Sequence, residues 1–447
     1  MSSAEPVILP AAAETSPNGR RLAEAAARVL PGGVNSATRY IGAPYAFAAG
    51  DGAYLTDLDG RRYLDYHAAF GAILLGHNAA VVDDAVREVV GRLDLTGLGV
   101  TELEVALAER VVEVIPSAEM MIATMSGSEA TAQAIRLARG VTGRSLIVKF
   151  QGGFHGWHDA VARNVISSPE KAYGRDPLSA GILDSAIDAT LIAEFNDLDS
   201  VRALFDEHAG EIAAIILEPI PHNVGALLPT QEFVTGLRDL ATDRGAVLVF
   251  DEVITGFRHA LGGYQELCGV TPDITTFGKG MANGYAIGGV AGRRDLMEHF
   301  DGRSGDVLLA GTFNGNPVSC AAAIATVDHL RESPDFYRRT RQLGDRMRTG
   351  LAAIVTELGI TATVAGFGGV FALYFADGPI RGYRDLMRND NAAYIAFHRR
   401  MTEAGFLMLP LALKRNHISG AHTAEDIDRT LDASRTVLRG MRTDGLI

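Results

Sequence analysis

The sequence predicts an α/β protein with a large domain on a mostly parallel sheet and a smaller α+β domain made from both chain ends. Three observations predict this fold class. The chain has 447 residues, enough for two or three domains. Between about residues 70 and 325, short apolar runs alternate with helical patterns, as parallel strands and their crossover helices do. These runs are almost continuously apolar, which indicates strands buried on both faces.

Five apolar runs predict the strands of the large domain, which we place at residues 70–325: they lie at 120–124, 146–150, 212–217, 247–250 and 274–276. A tight turn and a helix over 129–139 follow the first of them. Ser128 is the expected cap of this helix and Gly140 its expected end. A strand, a turn and a helix therefore open the domain.

The smaller domain is predicted from residues 19–69 and 326–447. The first part contains a helix over 21–29 and a strand-turn-strand pattern over 53–64. The second part follows an alanine-rich helix that begins near Pro317, and it reads as helix, two strands and helix. Residues 1–18 contain three prolines and no Lys or Arg, so we expect a flexible tail without the basic flank of a secretory signal.

Composition narrows the partners and the compartment. The net charge of −13 disfavours a nucleic-acid backbone or an anionic membrane surface as the main partner. The longest purely aliphatic runs, such as 212–217, are far shorter than the roughly 20 residues that span a bilayer. Two cysteines cannot form a disulfide framework, which is typical of a reducing cytoplasm. We therefore expect a cytoplasmic protein that acts on small molecules.

The amine chemistry available to this chain is limited, because lysine occurs only at positions 149, 171, 279 and 414. Lys279 lies between two glycines directly after an apolar run, and glycine lets the backbone approach a ligand closely. A desolvated amine at this point loses its proton readily, so Lys279 is a candidate Schiff-base lysine. The alternative is an ordinary lysine in a surface turn.

Two further patterns suit the same chemistry. Asp251 ends the apolar run at 247–250, and ligands of open parallel sheets bind outside the carboxyl ends of the strands. Ser126, Gly127 and Ser128 open a capped helix, whose free amides form a natural phosphate cradle. The alternatives are a helix cap or structural salt bridge for Asp251, and a cap that binds nothing for the serines. The helix start contains neither Gly-x-Gly-x-x-Gly nor Gly-Lys-Ser/Thr. Their absence disfavours a dinucleotide site and a nucleotide triphosphate loop, respectively.

Taken together, these motifs resemble those of the class III aminotransferases, fold type I enzymes of pyridoxal phosphate. The resemblance extends from about residue 20 to 430 and rests on SGSEA (126–130), FHG (154–156), LEP (217–219), FDEVITGFR (250–258), GGYQE (262–266), TPDITTFGK (271–279) and GTFNGNP (311–317). The chain is most similar to the branch that contains glutamate-1-semialdehyde aminomutase, whose entry motif resembles PGGVNS (31–36) followed by Arg39.

The resemblance implies the roles of the central residues. Lys279 would attach pyridoxal 5'-phosphate and shuttle a proton, and Asp251 would keep the ring nitrogen protonated. Gly127 and Ser128, preceded by Ser126, would bind the phosphate. These roles imply that Lys279 and Asp251 are catalytic and that the phosphate lies at the helix start.

Other matches imply residues around the cofactor ring. Phe154 would stack on one face and Val253 would press on the other, although plain core packing is the alternative for both. Glu218 and Asn223 match positions near the cofactor and would play supporting roles. His155 would brace the loop.

Three matches concern the partner subunit and the substrate. Thr312 would reach the phosphate of a neighbouring subunit, which implies a homodimer with shared active sites; a loop cap is the alternative. Arg39, near Ser36 in the entry motif, would receive a substrate carboxylate through the two parallel hydrogen bonds of a guanidinium. The alternative for Arg39 is a surface salt bridge.

The sequence departs from the aminomutase pattern at three places. Lys414, followed by Arg415, stands where a gap-free match puts a glutamate in the aminomutases. Phe154 replaces a tyrosine, and residues 165–187 match poorly. A cation does not do the work of a carboxylate, so we expect intermolecular transamination, with pyridoxamine 5'-phosphate as the intermediate form of the cofactor. Intramolecular 2,1-aminomutase activity is the alternative; a silent binding relative and a nicotinamide-dependent oxidoreductase are further ones.

Overall fold

The computed structural model describes residues 17–40 and 45–447. Its strands are β1 Phe47–Asp51, β2 Tyr54–Asp57, β3 Arg62–Asp65, β4 Met120–Thr124, β5 Leu146–Phe150, β6 Thr190–Ala193, β7 Ile212–Leu217, β8 Val247–Asp251, β9 Ile274–Gly278, β10 Gly288–Gly292, β11 Thr363–Ala365, β12 Val370–Tyr374, β13 Phe406–Leu407 and β14 Asn416–His417. Its helices are α1 Pro17–Val29, α2 Ala68–Gly71, α3 Ala80–Val89, α4 Glu102–Val114, α5 Gly127–Thr142, α6 Asp184–Asp188, α7 Leu198–Glu207, α8 Gln231–Arg244, α9 Gly263–Cys268, α10 Arg294–Met297, α11 Pro317–Glu332, α12 Asp335–Leu358, α13 Tyr383–Leu386, α14 Asn391–Glu403 and α15 Ala424–Thr443.

The large sheet has seven strands in the order β4-β10-β9-β8-β7-β5-β6. Neighbouring strands from β9 to β6 pair in parallel, whereas β10 runs antiparallel to both of its neighbours. The predicted fold class, with its mostly parallel sheet, is therefore confirmed. All five predicted strands are present, and β6 and β10 are additional. The sequence of β10 is GGVAG, and its glycines conceal it because glycine weakens strand propensity.

Helices cover both faces of this sheet. Successive residues of β7 enter different cores: Ile215 packs in the core that contains Phe233 of α8, and Ile216 packs in the core that contains Ala134 of α5. All residues of β7, β8 and β9 are buried. Each aliphatic side chain buried in this way contributes about 1.5–3 kcal/mol, so the continuous apolar runs reflect burial on two faces.

The start and end of α5 differ from the prediction. Ser126, not Ser128, caps the helix, since its backbone is extended and its hydroxyl accepts a hydrogen bond from the Glu129 amide at 3.2 Å. The helix continues through Gly140 and ends at Gly143, which has the left-handed conformation. Gly140 serves packing instead: a Cβ at that position would lie 2.6 Å from Val307. The helix therefore begins two residues earlier than the expected cap implied.

The two chain ends meet in one sheet. Strands β1, β2 and β3 form antiparallel hairpins, and β13 from the C-terminal part pairs in parallel with β3. The hydroxyls of Tyr66 and Thr430 lie 2.6 Å apart, and the His417 amide donates to the Tyr66 carbonyl at 2.8 Å. Strands β11, β12 and β14 form a second small sheet.

The expected domain boundaries stay a prediction. The boundary at residue 325 falls inside α11, Pro317–Glu332, so it does not coincide with a break in the secondary structure. Most of the expected tail, 1–18, lies outside the described residues, and its last two residues begin α1. Within residues 17–40 and 45–447, no helix is long and apolar enough to cross a membrane.

Two glycines of β10 provide a matched test of close packing beside α5. A Cβ on Gly288 would lie 2.3 Å from the backbone oxygen of Ser126, whereas one on Gly289 would meet the flexible end of Met121 at 2.7 Å. We expect Gly288→Ala to lower the free energy of unfolding by about 1–3 kcal/mol and Gly289→Ala to lower it less, because a methionine end moves more easily than backbone. Urea denaturation measures both. Equal losses would contradict this account.

Candidate active site

The carboxyl ends of three neighbouring strands carry the polar residues of the site. Glu218 follows β7, Asp251 ends β8 and Lys279 follows β9. Ligands of open parallel sheets bind at this edge. The structure therefore brings together side chains that are separated by 28 to 61 positions in the sequence.

Asp251 is buried, and both of its oxygens are held. Its Oδ2 lies 2.7 Å from His155 Nδ1, and its Oδ1 accepts hydrogen bonds from the Val253 amide at 3.1 Å and the Thr276 hydroxyl at 3.2 Å. The His155 side chain is fully buried, and its Nε2 has no hydrogen-bond partner among the described residues. These contacts fix the orientation of the carboxylate.

Lys279 begins a short 3-10 turn directly after β9. Its φ of 41° lies in the left-handed region, which is uncommon for a residue with a side chain and often marks a functional position. Desolvation lowers the pKa of Lys279 to about 8, and the positive charge of Arg415 acts in the same direction. Asp251 and Glu218 raise this pKa but do not offset the other two effects. The amine is therefore neutral at a lower pH than an ordinary lysine.

The start of α5 packs closely against this edge. A Cβ on Gly127 would lie 2.7 Å from Val253, and one on Gly156 would lie 2.7 Å from the Ser128 hydroxyl. The first amides of a helix have no acceptor within it, and those of Gly127 and Ser128 are available to a ligand. The structure thus places the predicted phosphate residues beside Val253 and the loop at 154–156.

Glu218 and Asn223 fasten that loop. Glu218 accepts hydrogen bonds from the amides of Phe154 at 2.8 Å and His222 at 3.2 Å, and Asn223 donates to the Gly152 carbonyl at 3.1 Å. Burial raises the pKa of Glu218. These hydrogen bonds are with the protein backbone, and the supporting roles of the two residues stay a prediction.

With this geometry in place, the class III aminotransferase family model matches residues 36–420. The chain belongs to the class III aminotransferases. Glutamate-1-semialdehyde 2,1-aminomutase from Methanosarcina acetivorans is 41% identical over 421 residues, which cover 94% of this chain and 98% of that protein.

Solved class III structures superpose over nearly the whole chain. An omega-transaminase from Sphaerobacter thermophilus has a TM-score of 0.90 at 32% identity, covering 95% of this chain and 98% of the other. A glutamate-1-semialdehyde-aminomutase from Pseudomonas aeruginosa PAO1 in complex with PMP has a TM-score of 0.85 at 25% identity, covering 95% of both chains. The fold is that of the fold type I enzymes of pyridoxal phosphate.

Three predicted residues of this class III aminotransferase lie apart from the central group. Thr312 is exposed in the loop before α11 and makes no hydrogen bond with the described residues. Ser36 and Arg39 are exposed as well, and the Ser36 hydroxyl lies 3.0 Å from that of Thr38. Arg39 lies close enough to His67 to lower its pKa. The structure does not bring these three residues into contact with Lys279 or Asp251.

Some neighbours of the site were not predicted. Thr276 lies opposite Asp251 in the pairing of β8 and β9, and strand register would have indicated it. Arg258 belongs to the FDEVITGFR motif, but no role followed from its sequence position. Its Nε donates to the Ile254 carbonyl at 3.0 Å and its Nη2 to the Gly71 carbonyl. Within the two described ranges, no cluster of three or more His, Cys, Asp or Glu residues is suited to a metal ion.

The pKa of Lys279 leads to a test on the cofactor-free protein. The neutral amine is the nucleophile, so the rate at which Lys279 reacts with a small aldehyde should rise with pH and level off above about pH 8. Arg415→Met removes a charge that lowers this pKa and should move the midpoint to higher pH. Reductive trapping and mass spectrometry of the Lys279 peptide measure the rate. A midpoint at about 10.4, the ordinary lysine value, would show that burial has no effect on this amine.

Proposed function

We propose that this protein is an aminotransferase that moves an amino group from an amino donor to a carbonyl acceptor, at least one of which carries a carboxylate. The cofactor is pyridoxal 5'-phosphate, as in the family. When bound, it supplies an aldehyde that receives the amino group and a protonated ring that withdraws electrons from the reacting carbon. The observation that carries the proposal is the placement of Lys279 and Asp251 at the ends of adjacent strands.

The residues present fit this cofactor at three points. The helix start at Gly127 and Ser128 offers amides to a phosphate. Asp251 is a buried carboxylate that needs a cationic partner, which a protonated pyridine nitrogen supplies. Lys279 is an amine with a lowered pKa and suits covalent attachment. A phosphate, a ring nitrogen and an aldehyde each have a matching group.

Each side chain of the site would then have a separate role. Lys279 would hold the cofactor and would serve as the acid and base that moves a proton at the substrate carbon. Asp251, oriented by His155 and Thr276, would keep the ring nitrogen protonated. Phe154 and Val253 would confine the ring. Arg39 would receive the substrate carboxylate, and Ser36 would contribute to the same entry region.

We also infer a homodimer in which Thr312 contributes to the site of the neighbouring subunit. Its exposure on the loop before α11 leaves it available to a second chain. A cytoplasmic location is supported by Cys268 and Cys320, which are both free and buried.

A glutamate-1-semialdehyde-type 2,1-aminomutase is the second candidate function. It is favoured by the relatives from Methanosarcina acetivorans and Thermomicrobium roseum that bear this name at 41% identity. Transamination is favoured by Lys414, which stands where a gap-free match puts the glutamate of the aminomutases and is followed by Arg415. Structural neighbours such as the omega-transaminase favour it as well.

Removal of the amine tests the assignment of Lys279. Borohydride reduction of the holoenzyme should fix the cofactor on the peptide that contains Lys279, and Lys279→Ala should lose both this label and turnover. Lys171→Ala, a change at a half-buried lysine whose amine lies 3.8 Å from Asp176, serves as the control and should keep both. Turnover of Lys279→Ala at the native rate would refute the assignment.

A single half-reaction separates the two candidate functions. With one amino substrate and no acceptor, an aminotransferase should release one equivalent of carbonyl product per site and stop, with its cofactor as pyridoxamine 5'-phosphate. Absorbance of the cofactor and chromatography of the product measure this outcome. Continued turnover to a positional isomer without a carbonyl product would replace the proposal by the aminomutase.

A further inference from the structure

The loop that carries His155 is fastened on two sides. Glu218 and Asn223 hold its first part, and Thr131 of α5 contacts the part that follows. Thr131 is fully buried, and its hydroxyl lies 2.5 Å from the His155 carbonyl and 3.2 Å from His158 Nε2. Thr131 and His158 lie just outside the motifs SGSEA and FHG, so the family resemblance assigns them no role.

Three carbonyl oxygens lie near the Thr131 hydroxyl, which has a single proton to donate. Those of Gly127 and Ser128, one turn earlier in the same helix, lie at 3.1 Å, whereas that of His155 lies at 2.5 Å. Two oxygens at the shorter distance repel each other unless a proton lies between them. The hydroxyl therefore donates to the His155 carbonyl.

His158 donates to the same hydroxyl. Burial lowers the pKa of His158 to about 4, with His155 and Arg139 acting in the same direction and Asp251 in the opposite one. The imidazole is therefore neutral at physiological pH and has one N–H. Because the Thr131 hydroxyl gives its own proton to His155, it accepts from His158, and Nε2 is the nitrogen that carries the proton.

These hydrogen bonds form one directed chain. His158 Nε2 donates to the Thr131 hydroxyl, which donates to the His155 carbonyl, and the His155 imidazole lies 2.7 Å from Asp251. That carboxylate is the one hydrogen-bond partner of the imidazole within residues 17–40 and 45–447. One of the three contacts that orient Asp251 therefore depends on how α5 holds the His155 backbone.

The same loop rests on the first turn of α5, which is the phosphate end of the site. The Trp157 amide donates to the Ser128 hydroxyl at 3.4 Å. Gly156 has a left-handed φ of 111° and approaches Ser128 too closely for any larger residue. Thr131 lies one turn further along the helix. It therefore connects the phosphate end of the site to the loop that braces the acid.

A ligand with a phosphate at one end and a ring nitrogen at the other binds well only where the protein groups for both ends are already correctly spaced. Ordering a loop during binding reduces the affinity, because the lost freedom of the loop opposes binding. Buried hydrogen bonds that hold the loop beforehand avoid this cost. The Thr131 hydroxyl makes two such bonds, and neither of its loop partners has a substitute for it among the described residues.

We propose that Thr131 and His158 are positioning residues that hold His155 against Asp251 and set the spacing between this acid and the phosphate end of α5. Neither side chain needs to touch the cofactor, because both act through His155. The inference rests on the proposed function for the identity of the cofactor, and it deepens that function by naming the residues that prepare its site.

The affinity for pyridoxamine 5'-phosphate tests the proposal without covalent attachment to Lys279. Calorimetric titration of the full-length protein, freed of cofactor by dialysis, measures it. Thr131→Val keeps nearly the same shape without the hydroxyl and should weaken binding about tenfold or more, because two buried polar groups lose their partner and the loop is no longer held. Thr131→Ser restores the hydroxyl and should bind within about threefold of wild type.

Inorganic phosphate and a second threonine provide the controls. Phosphate needs only the helix start, so its affinity, measured by competition, should change by less than about twofold in Thr131→Val. Thr326 is likewise buried in a helix, and its hydroxyl donates to the Ala322 carbonyl at 2.8 Å. Thr326→Val should lower the stability in urea and keep the wild-type affinity for pyridoxamine 5'-phosphate.

His158 provides a second variant that disturbs the core less, because its side chain is only partly buried. His158→Leu should weaken the binding of pyridoxamine 5'-phosphate about threefold or more, since the Thr131 hydroxyl loses its donor. His158→Gln places an amide N–H near the position of Nε2 and should keep most of the affinity.

The outcomes decide this inference separately from the proposed function. It is wrong if Thr131→Val binds pyridoxamine 5'-phosphate as tightly as wild type, or if Thr131→Ser binds it as weakly as Thr131→Val. It is also wrong if the affinity for inorganic phosphate falls equally, which would limit Thr131 to supporting the helix start, or if Thr326→Val or His158→Gln causes the same loss. None of these measurements needs turnover, whereas the proposed function is tested by turnover of Lys279→Ala.

Discussion

The site is organised around the amine of Lys279 at the end of β9, which has no hydrogen bond or ion pair with residues 17–40 and 45–447. Asp251 lies at the end of the adjacent strand, but its oxygens bind His155, Thr276 and the Val253 amide, and within the described ranges it forms no ion pair with Lys279. A direct ion pair would favour the ammonium form and remove the nucleophile. Because the carboxylate is held by other partners, its charge raises the pKa of the amine by less than desolvation and the charge of Arg415 lower it.

The rest of the site keeps the Asp251 carboxylate on its own partners and apart from the Lys279 amine. The loop at 152–156 supplies His155, and Glu218 and Asn223 hold that loop through backbone contacts. Close packing between Gly127 and Val253 brings the start of α5 to the same edge. Parallel strands provide the frame, since their carboxyl ends all open on one side.

Residues from both ends of the chain contribute to a site that is otherwise built on the large sheet. The turn at Ala68–Gly71, whose four φ angles are left-handed, comes from the N-terminal part, and Lys414 and Arg415 come from the C-terminal part. The pairing of β13 with β3 and the bond between the His417 amide and the Tyr66 carbonyl join these two parts. Association of the chain ends therefore brings Lys414 and Arg415 near Lys279. The left-handed turn is stable only because that surrounding structure holds it.

The fold class, five strands of the large sheet and the residues at their carboxyl ends could be predicted from the sequence, because burial on both faces leaves continuous apolar runs and the family motifs are local. The sequence did not reveal β10, whose glycines serve close packing, or the true cap of α5, since two serines compete for that position. Three contacts became visible only in the folded chain. Thr276 holds Asp251, Arg415 acts on Lys279, and Lys414 is buried without an acceptor among the described residues. These contacts join residues that are far apart in the sequence. Sequence separation does not indicate which partners two residues meet after folding, or how far burial removes them from water.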